Sequence, residues 1–261
     1  MSLQRRTLTK AEIDSYHDAG WVLLPRLIAP EYAAALRNEV LEIMRTIGLG
    51  SAKLRQTNQY LAGSGLDRLI NSEDLPVVAS QLLGGPARVY LPFTAVKSTG
   101  GGRFHFHQDN QYTRFDGPGL NTWFALERMD LTNGCLQVVS GSHRAGTLDA
   151  VASGDGDAHR KIEWEPEDFL PLTMEPGDCV TFSRLTIHGS GVNSAPEPRV
   201  AYAIQFHRAG RERAHWRRME TTRGTPPVAC RSRAEHLDAA ERRDAGRTLT
   251  NGTRNPESGQ L

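Results

Sequence analysis

The sequence is poor in the features that mark secreted, membrane and nucleic-acid-binding proteins. Its three cysteines are widely spaced and form no C-x-x-C pair, which argues against a disulfide framework and a paired-cysteine zinc site. A formal net charge of +1 gives no support for electrostatic capture of nucleic acid or anionic membrane. Apolar runs such as Trp21–Leu24 are far shorter than the ~20 residues of a membrane helix. With no apolar signal-peptide stretch at the start, we expect a cytoplasmic protein without nucleic acid or membrane partners.

What the chain does contain is enough apolar sequence for a globular core. Hydrophobic residues make up 38% of the 261 positions and charged residues 23%, a composition typical of soluble globular proteins. Thr9 and Glu12 match a capping box, which predicts a helix that begins after Thr9 and stops at Gly20. A short apolar strand, Trp21–Leu24, is expected to follow.

Two further helices are predicted before residue 86. Apolar residues between Pro30 and Ile47 recur at a spacing close to 3.6, which predicts an amphipathic helix over 30–47. A third helix is predicted over about 73–83, before the Gly-Gly-Pro sequence that begins at Gly84. We therefore expect a helical N-terminal region over 9–85.

After residue 86 the pattern changes to short β-type segments. Runs rich in Val, Phe, Tyr, Thr and Trp alternate with Gly, Pro, Asn and Asp clusters and show no regular βαβ rhythm. This pattern predicts a mainly β sandwich or barrel over 86–207. The predicted strands are 88–97, 103–107, 120–128, 134–139, 171–174, 178–183 and 199–207.

The C-terminal segment 208–261 has a different character. It holds 12 arginines against 7 acidic residues and few large apolar residues. We interpret it as a basic appendage to a single domain over 1–207, partly helical (over 234–243) and partly disordered. A solvated basic segment is a better interpretation of this charge than a nucleic-acid-binding one.

Potential metal ligands are concentrated around the segment Phe104–Asp109. If this segment is a strand, His105, His107 and Asp109 point to one face. His188, after the apolar run 179–185, is the strongest candidate for a further ligand. Two imidazoles and one carboxylate can form a facial triad, which suits a non-haem Fe(II) centre because three coordination positions stay open. The residue types alone also permit zinc.

Arg199 lies eleven residues after His188, beyond a Pro-containing turn and at the start of an apolar strand. An antiparallel return would bring its guanidinium beside the metal strand, where it can bind a carboxylate through two parallel hydrogen bonds. Ser190 could donate a hydroxyl hydrogen bond to the same carboxylate. Taken alone, Arg199 would be interpreted as one half of a surface salt bridge.

Four sequence blocks resemble the phytanoyl-CoA dioxygenase (PhyH-like) family of Fe(II)/2-oxoglutarate-dependent oxygenases. They occur in the family's order and spacing, and the resemblance covers roughly residues 10–207. The blocks are His107–Tyr112, Trp123–Glu127, Asn133–His143, and His188–Gly191 followed by Asn193 and Arg199.

The resemblance implies a double-stranded β-helix (jelly-roll, cupin-like) core with flanking N-terminal helices. It also implies a dioxygenase that uses Fe(II), 2-oxoglutarate and O2, and that converts 2-oxoglutarate to succinate and CO2 while it oxidises an unactivated C–H of a small molecule. His107, Asp109 and His188 match the iron ligands. Asp109 retains the carboxylate that related halogenases replace, so hydroxylation or another oxidation is implied. In the cosubstrate pocket, the resemblance assigns the C5-carboxylate anchor to Arg199 and the lining to Ser190 and Trp123.

Four other residues are weaker candidates. Lys97 could pair with the cosubstrate or with a substrate anion, or it could be an ordinary surface lysine. His105, Tyr112 and Gln59 are candidates for substrate contacts, with cavity-wall or core packing as the alternatives for the first two. Two other functions also fit the residues: a cupin-like isomerase or hydrolase that does not use 2-oxoglutarate, and a non-catalytic ligand-binding protein.

Overall fold

The computed structural model describes residues 3–5, 7–47, 54–113, 117–154 and 159–209, with Leu54 described by its backbone only. All of them belong to one unit of the chain, Met1–Arg213. The predicted C-terminal appendage, including its helix over 234–243, lies outside the described residues apart from positions 208 and 209. None of the helices in the described part of the chain is both long and apolar enough to cross a membrane.

Helices occupy the N-terminal region, as the capping and periodicity signals predict. Thr9 accepts a hydrogen bond from the Glu12 amide and the Glu12 carboxylate accepts one from the Thr9 amide, so the predicted capping box is formed. Gly20 ends the first helix with a φ of 82°, a left-handed conformation that glycine adopts without strain. The described helices are α1 (Lys10–Ala19), α2 (Pro30–Thr46), α3 (Gly65–Ile70) and α4 (Asp74–Leu83).

The β region follows the predicted order of strands. A 3₁₀ turn over Asp109–Gln111 separates the fourth and fifth strands. The described strands are β1 (Trp21–Leu24), β2 (Leu54–Arg55), β3 (Ala87–Lys97), β4 (Phe104–His107), β5 (Gly119–Ala125), β6 (Leu136–Val138), β7 (Val151–Ala152), β8 (Arg160–Lys161), β9 (Leu170–Pro171), β10 (Cys179–Ser183), β11 (His188–Ser190) and β12 (Arg199–Arg208).

Two antiparallel sheets form the double-stranded β-helix core. Among the described residues, the larger sheet has the order β1-β10-β5-β12-β3-β2 and the smaller one has the order β4-β11-β6-β9. Strands that are distant in sequence are neighbours in both sheets, as in a jelly roll. The fold is therefore mainly β with flanking N-terminal helices, as predicted.

The structure departs from the predicted elements in several places, and the two-residue strands β2, β7 and β8 were not predicted. The strand expected over 171–174 is limited to Leu170–Pro171, although Leu172 still donates to the Leu136 carbonyl and Met174 forms an isolated antiparallel bridge with Met129. His188 lies within a strand of its own, β11, on the smaller sheet. Helix α3 was not predicted, because six residues are too few to display a helical period.

The central strand β5 separates two apolar clusters. Leu120 and Phe124 belong to the cluster that includes the N-terminal helices, whereas Trp123 and Ala125 belong to a second cluster with residues of both sheets. This alternation is the two-residue period of a strand that is covered on both faces. Asn121, two residues before Trp123, is thereby placed on the face of β5 that points away from the helices.

Candidate active site

A bulge between β4 and β11 shapes the centre of the site. His188 pairs with His107 and Ser190 pairs with Phe104, so two steps along β11 correspond to three along β4. Phe104 and His107 consequently line the same cavity, and their ring centroids are 4.7 Å apart. The bulge breaks the simple alternation along β4 on which the prediction for His105 depended.

Three predicted ligands converge at this position. One side-chain donor atom from each of His107, Asp109 and His188 lies within 4.8 Å of the others, and His188 Nε2 is 3.6 Å from Asp109 Oδ1. The two histidines come from neighbouring strands, and Asp109 starts the 3₁₀ turn after β4. Gln108 fixes that turn, because its amide donates to the carbonyls of Gly146 at 2.8 Å and Leu185 at 2.7 Å.

Backbone carbonyls set the orientation of both imidazole rings. His107 Nδ1 lies 2.8 Å from the His105 carbonyl oxygen, and His188 Nδ1 lies 2.9 Å from that of Thr186. A carbonyl only accepts, so each Nδ1 carries a proton and donates it, which leaves the Nε2 lone pair for a metal. Burial, together with the neighbouring His188, holds the pKa of His107 well below its usual value, so this ring is neutral.

The carboxylate is oriented in the same way. Asn121 Nδ2 donates to Asp109 Oδ2 at 3.1 Å, while Asp109 Oδ1 faces His188. Two imidazoles and one hydrogen-bonded carboxylate, all converging on one point, fit the donor set of a non-haem Fe(II) site.

A cavity of about 470 Å³ of empty space, open to solvent, contains the triad at its wall. Its polar end carries Arg199 and Ser190, and its apolar lining includes Trp123, Phe93 and Phe182. It therefore combines a metal-binding corner with a cationic end, the arrangement that a chelating dicarboxylate requires. The family resemblance also assigned Trp123 to the lining of the cosubstrate pocket, and Trp123 lines this cavity.

Arg199 is the cationic end of the cavity. Its side chain is buried, with the guanidinium carbon 5.2 Å from the ring centroid of Trp123. Burial lowers the pKa of Arg199 to about 10, so the group stays charged at neutral pH. Its Nε has no hydrogen-bond partner among the described residues. The alternative of a surface salt bridge is wrong.

Lys97 supports the cavity from behind. It is fully buried rather than a surface lysine, and it lies directly opposite Arg199 in the pairing of β3 with β12. Its Nζ donates to Ser190 Oγ at 2.8 Å, to the Gly102 carbonyl at 3.0 Å and to the Gly191 carbonyl. Lys97 is not among the residues that line the cavity, so its contact with the pocket runs through Ser190.

The three predicted substrate contacts lie away from the cavity lining. His105 Nδ1 is 3.7 Å from Glu165 Oε1, because the bulge turns this side chain away from the cavity. Tyr112 is 42% exposed, and its ring centroid lies 5.6 Å from that of His107 in an edge-to-face arrangement. Gln59 is exposed, and the nearby residue that does line the cavity is Gln56.

Sequence reasoning missed two polar lining residues, Gln56 and Asn121. Gln56 follows the two-residue strand β2, which carries no sequence signal. Asn121 could have been found from the alternation of β5, since it lies two positions before Trp123 and so shares its face.

The comparisons with known proteins agree with this geometry. The family model described as "Phytanoyl-CoA dioxygenase (PhyH)" matches residues 16–201, which hold every site residue named above. The chain belongs to the PhyH family. A methylphosphonate hydroxylase of Gimesia maris is 26% identical over 216 residues, which cover 77% of this chain and 81% of that protein.

Other matches are partial or structural. Phytanoyl-CoA dioxygenase 1 of Oryza sativa subsp. japonica is 32% identical over 120 residues, covering 44% of this chain and 42% of that protein. The crystal structure of the non-heme alpha ketoglutarate dependent carbocyclase SnoK from nogalamycin biosynthesis matches with a TM-score of 0.66 and 21% identity, covering 85% of this chain and 94% of that one. This likeness establishes the fold.

This PhyH-family protein is a non-haem iron, 2-oxoglutarate-dependent dioxygenase that hydroxylates or otherwise oxidises a small-molecule substrate. Its cofactors are Fe(II), 2-oxoglutarate and O2. The comparisons favour this activity over that of a cupin-like isomerase or hydrolase.

Proposed function

We propose that His107, Asp109 and His188 hold the Fe(II) of this dioxygenase, and that Arg199 anchors the far carboxylate of 2-oxoglutarate in the same cavity. The observation that supports both roles is the convergence of the three donor atoms within 4.8 Å at the wall of a cavity that also contains Arg199. When bound, iron with 2-oxoglutarate supplies O2-dependent oxidation of an unactivated C–H, coupled to formation of succinate and CO2.

The protein would supply two imidazoles and one carboxylate on one side of the metal and leave the other side open. The Nδ1 protons of His107 and His188 are committed to backbone carbonyls, so each ring presents Nε2. Asp109 adds one negative charge and is held through Oδ2. Three protein donors leave coordination positions for the cosubstrate and for O2.

The other end of the cavity binds the cosubstrate carboxylate. The planar guanidinium of Arg199 can donate two parallel hydrogen bonds to a carboxylate. Ser190 Oγ already accepts from Lys97, so its own hydroxyl proton is available to donate into the cavity. Trp123 lies against Arg199 and limits its movement, while Leu136 and Phe182 add apolar surface elsewhere in the cavity lining, Phe182 beside the His188 ring.

The substrate is proposed to enter from the open side of the cavity. Its path would pass Gln56, Phe93 and Phe104, which line the cavity and form no described hydrogen bond with Arg199.

We place the enzyme in the cytoplasm. Cys135 and Cys179 are buried free thiols, which fits a reducing compartment.

A succinate assay tests this function. Protein reconstituted anaerobically with Fe(II) should release succinate from 2-oxoglutarate on exposure to O2, and a screen of small molecules should reveal compounds that stimulate the release. Asp109→Ala should abolish this activity while the thermal unfolding midpoint stays near that of the wild type. The exposed Asp168→Ala is the control and should keep full activity. Full activity in Asp109→Ala would remove the triad from catalysis.

A further inference from the structure

Asn121 is a buried amide that bridges the two sheets at the metal-binding corner. It lies on β5 of the larger sheet, 2% exposed, and pairs in register with Phe182 on β10. Its Nδ2 donates to Oδ2 of Asp109, which follows β4 of the smaller sheet, at 3.1 Å. The side chain therefore connects the central strand of one sheet to a predicted metal ligand carried by the other.

The orientation of this amide is fixed by chemistry. An ionised carboxylate only accepts hydrogen bonds, so the atom of Asn121 that faces Asp109 must be the NH2 group. The other terminal atom of the side-chain amide is then the carbonyl oxygen, Oδ1. It is buried and has no hydrogen-bond partner among the described residues, although Asn121 is one of the residues that line the cavity.

A buried carbonyl without a donor is costly, and native structures rarely leave one unless a ligand or water completes it. The cosubstrate cannot do so, because 2-oxoglutarate at neutral pH carries two carboxylates and a ketone, all of them acceptors. The missing donor must therefore be an O–H or N–H group of the substrate, or a water molecule in the cavity.

We infer that Asn121 has two linked roles: it positions Asp109 for the metal through Nδ2, and through Oδ1 it selects substrates that carry a hydroxyl, amine or amide donor near the oxidised carbon. The inference rests on the proposed function. It extends that function by naming a positioning residue outside the triad and a chemical class of substrate.

The positioning role is tested by metal binding without turnover. Co(II) is titrated anaerobically into the wild type, Asn121→Leu, which is close to asparagine in shape, and Asn121→Ala, which serves if the leucine variant does not fold. We expect either variant to bind Co(II) about 10–100-fold more weakly. Thr122→Val, on the opposite face of β5, should bind within about 3-fold of the wild type. Equal affinity in the Asn121 variants would overturn the positioning role.

The selectivity role is tested with the compounds that stimulate succinate release. We expect each of them to carry an O–H or N–H donor, and methylation of that donor to lower kcat/KM about tenfold or more in the wild type. In Asn121→Leu the methylated and unmethylated compounds should differ by no more than about 3-fold. A wild type that treats both equally assigns the donor to water and overturns the selectivity role.

These outcomes separate the inference from the proposed function. A wild type that binds no Co(II), or releases no succinate with any compound, contradicts the proposed function itself. A wild type that does both, with an Asn121→Leu variant that matches it in each measurement, contradicts only the inference about Asn121.

Discussion

At the scale of single residues, the site depends on a buried cation, Arg199, with which no carboxylate among the described residues forms an ion pair. Burial lowers the pKa of Arg199, and the charge of Glu127 acts in the opposite direction. The Glu127 carboxylate is already used, because Oε1 accepts from the Val200 amide and Oε2 lies 3.3 Å from Arg37. Arg199 is consequently available to a bound anion, which compensates the cost of burying its charge.

Replacing the guanidinium of Arg199 should weaken the binding of 2-oxoglutarate selectively. We predict that Arg199→Lys raises the KM for 2-oxoglutarate about tenfold or more, since lysine keeps the charge and loses the two-pronged geometry. Arg199→Met should raise it further, with little change in Co(II) affinity. Arg103→Met, at an exposed arginine that pairs with Glu165, serves as the control. Steady-state kinetics with varied 2-oxoglutarate checks this, and an unchanged KM in Arg199→Met would exclude the anchoring role.

Lys97 is another buried basic residue, and burial followed by the charge of Arg199 lowers its pKa from 10.5 to about 7. Between pH 7 and 10.5 the Lys97 amine is protonated in the unfolded chain and deprotonated in the folded chain. The free energy of unfolding therefore rises with pH between about 7 and 10.5, and the contribution of this group is lost as the pH falls toward 7.

We predict that this dependence is visible in a pair of proteins. Relative to Lys97→Met, the wild type should gain unfolding free energy as the pH rises from 7 to 10, with a slope of at most about 1.4 kcal/mol per pH unit. Urea unfolding at several pH values gives both curves, and taking their difference removes the other titrating groups. Parallel curves would mean that Lys97 keeps an ordinary pKa in the folded protein.

At the scale of elements, the junction between β4 and β11 determines whether the two histidines meet. Gly189 sits at the bulge, and a Cβ there would lie 2.8 Å from the Phe104 carbonyl oxygen and 3.3 Å from the Phe106 amide nitrogen. Both atoms are backbone and cannot move without separating the strands. At Gly191 the nearest atom would be the end of the Gln137 side chain at 3.5 Å, an ordinary contact.

The two glycines therefore form a matched test. We predict that Gly189→Ala lowers the free energy of unfolding by about 1–3 kcal/mol and weakens Co(II) binding at least about tenfold, because β11 must move away from β4. Gly191→Ala should change both quantities much less. Metal titration and urea unfolding of the two variants provide the check, and identical behaviour would show that the bulge tolerates a side chain.

The same junction shows how far elements could be predicted from the sequence. The capping box, the glycine stop and the apolar spacing of α2 are local signals, and the predicted helices agree with the structure within a residue or so. A bulge depends on how two distant strands align, which no local pattern encodes. That is why the strand alternation placed His105 beside His107, and why the structure places it elsewhere.

At the scale of the whole molecule, the site is assembled from elements that are far apart in the chain. His107 and Asp109 come from β4 and the turn after it, His188 from β11, Trp123 from β5 and Arg199 from β12. The order and spacing of four sequence blocks were sufficient to predict that these residues meet in a jelly-roll core. Asn121 and Gln56 lie outside the residues that carried the resemblance; the alternation of β5 could have indicated Asn121, whereas only the folded arrangement identifies Gln56.

The division of the chain at residue 207 remains a prediction. Strand β12 lies between β5 and β3 in the larger sheet and continues to Arg208. The described β core therefore extends one residue past that boundary. The basic composition of the following segment is the reason for predicting an appendage there.

Anaerobic titration of Fe(II) into the full-length protein tests the central claim most directly. We predict that the wild type binds one Fe(II) per chain and that His107→Ala, Asp109→Ala and His188→Ala each lose this binding. The stoichiometry should be unchanged in His105→Ala, because the bulge turns the His105 side chain away. Retained one-to-one binding in the three triad variants would contradict the central claim, because the metal would then be held by other residues.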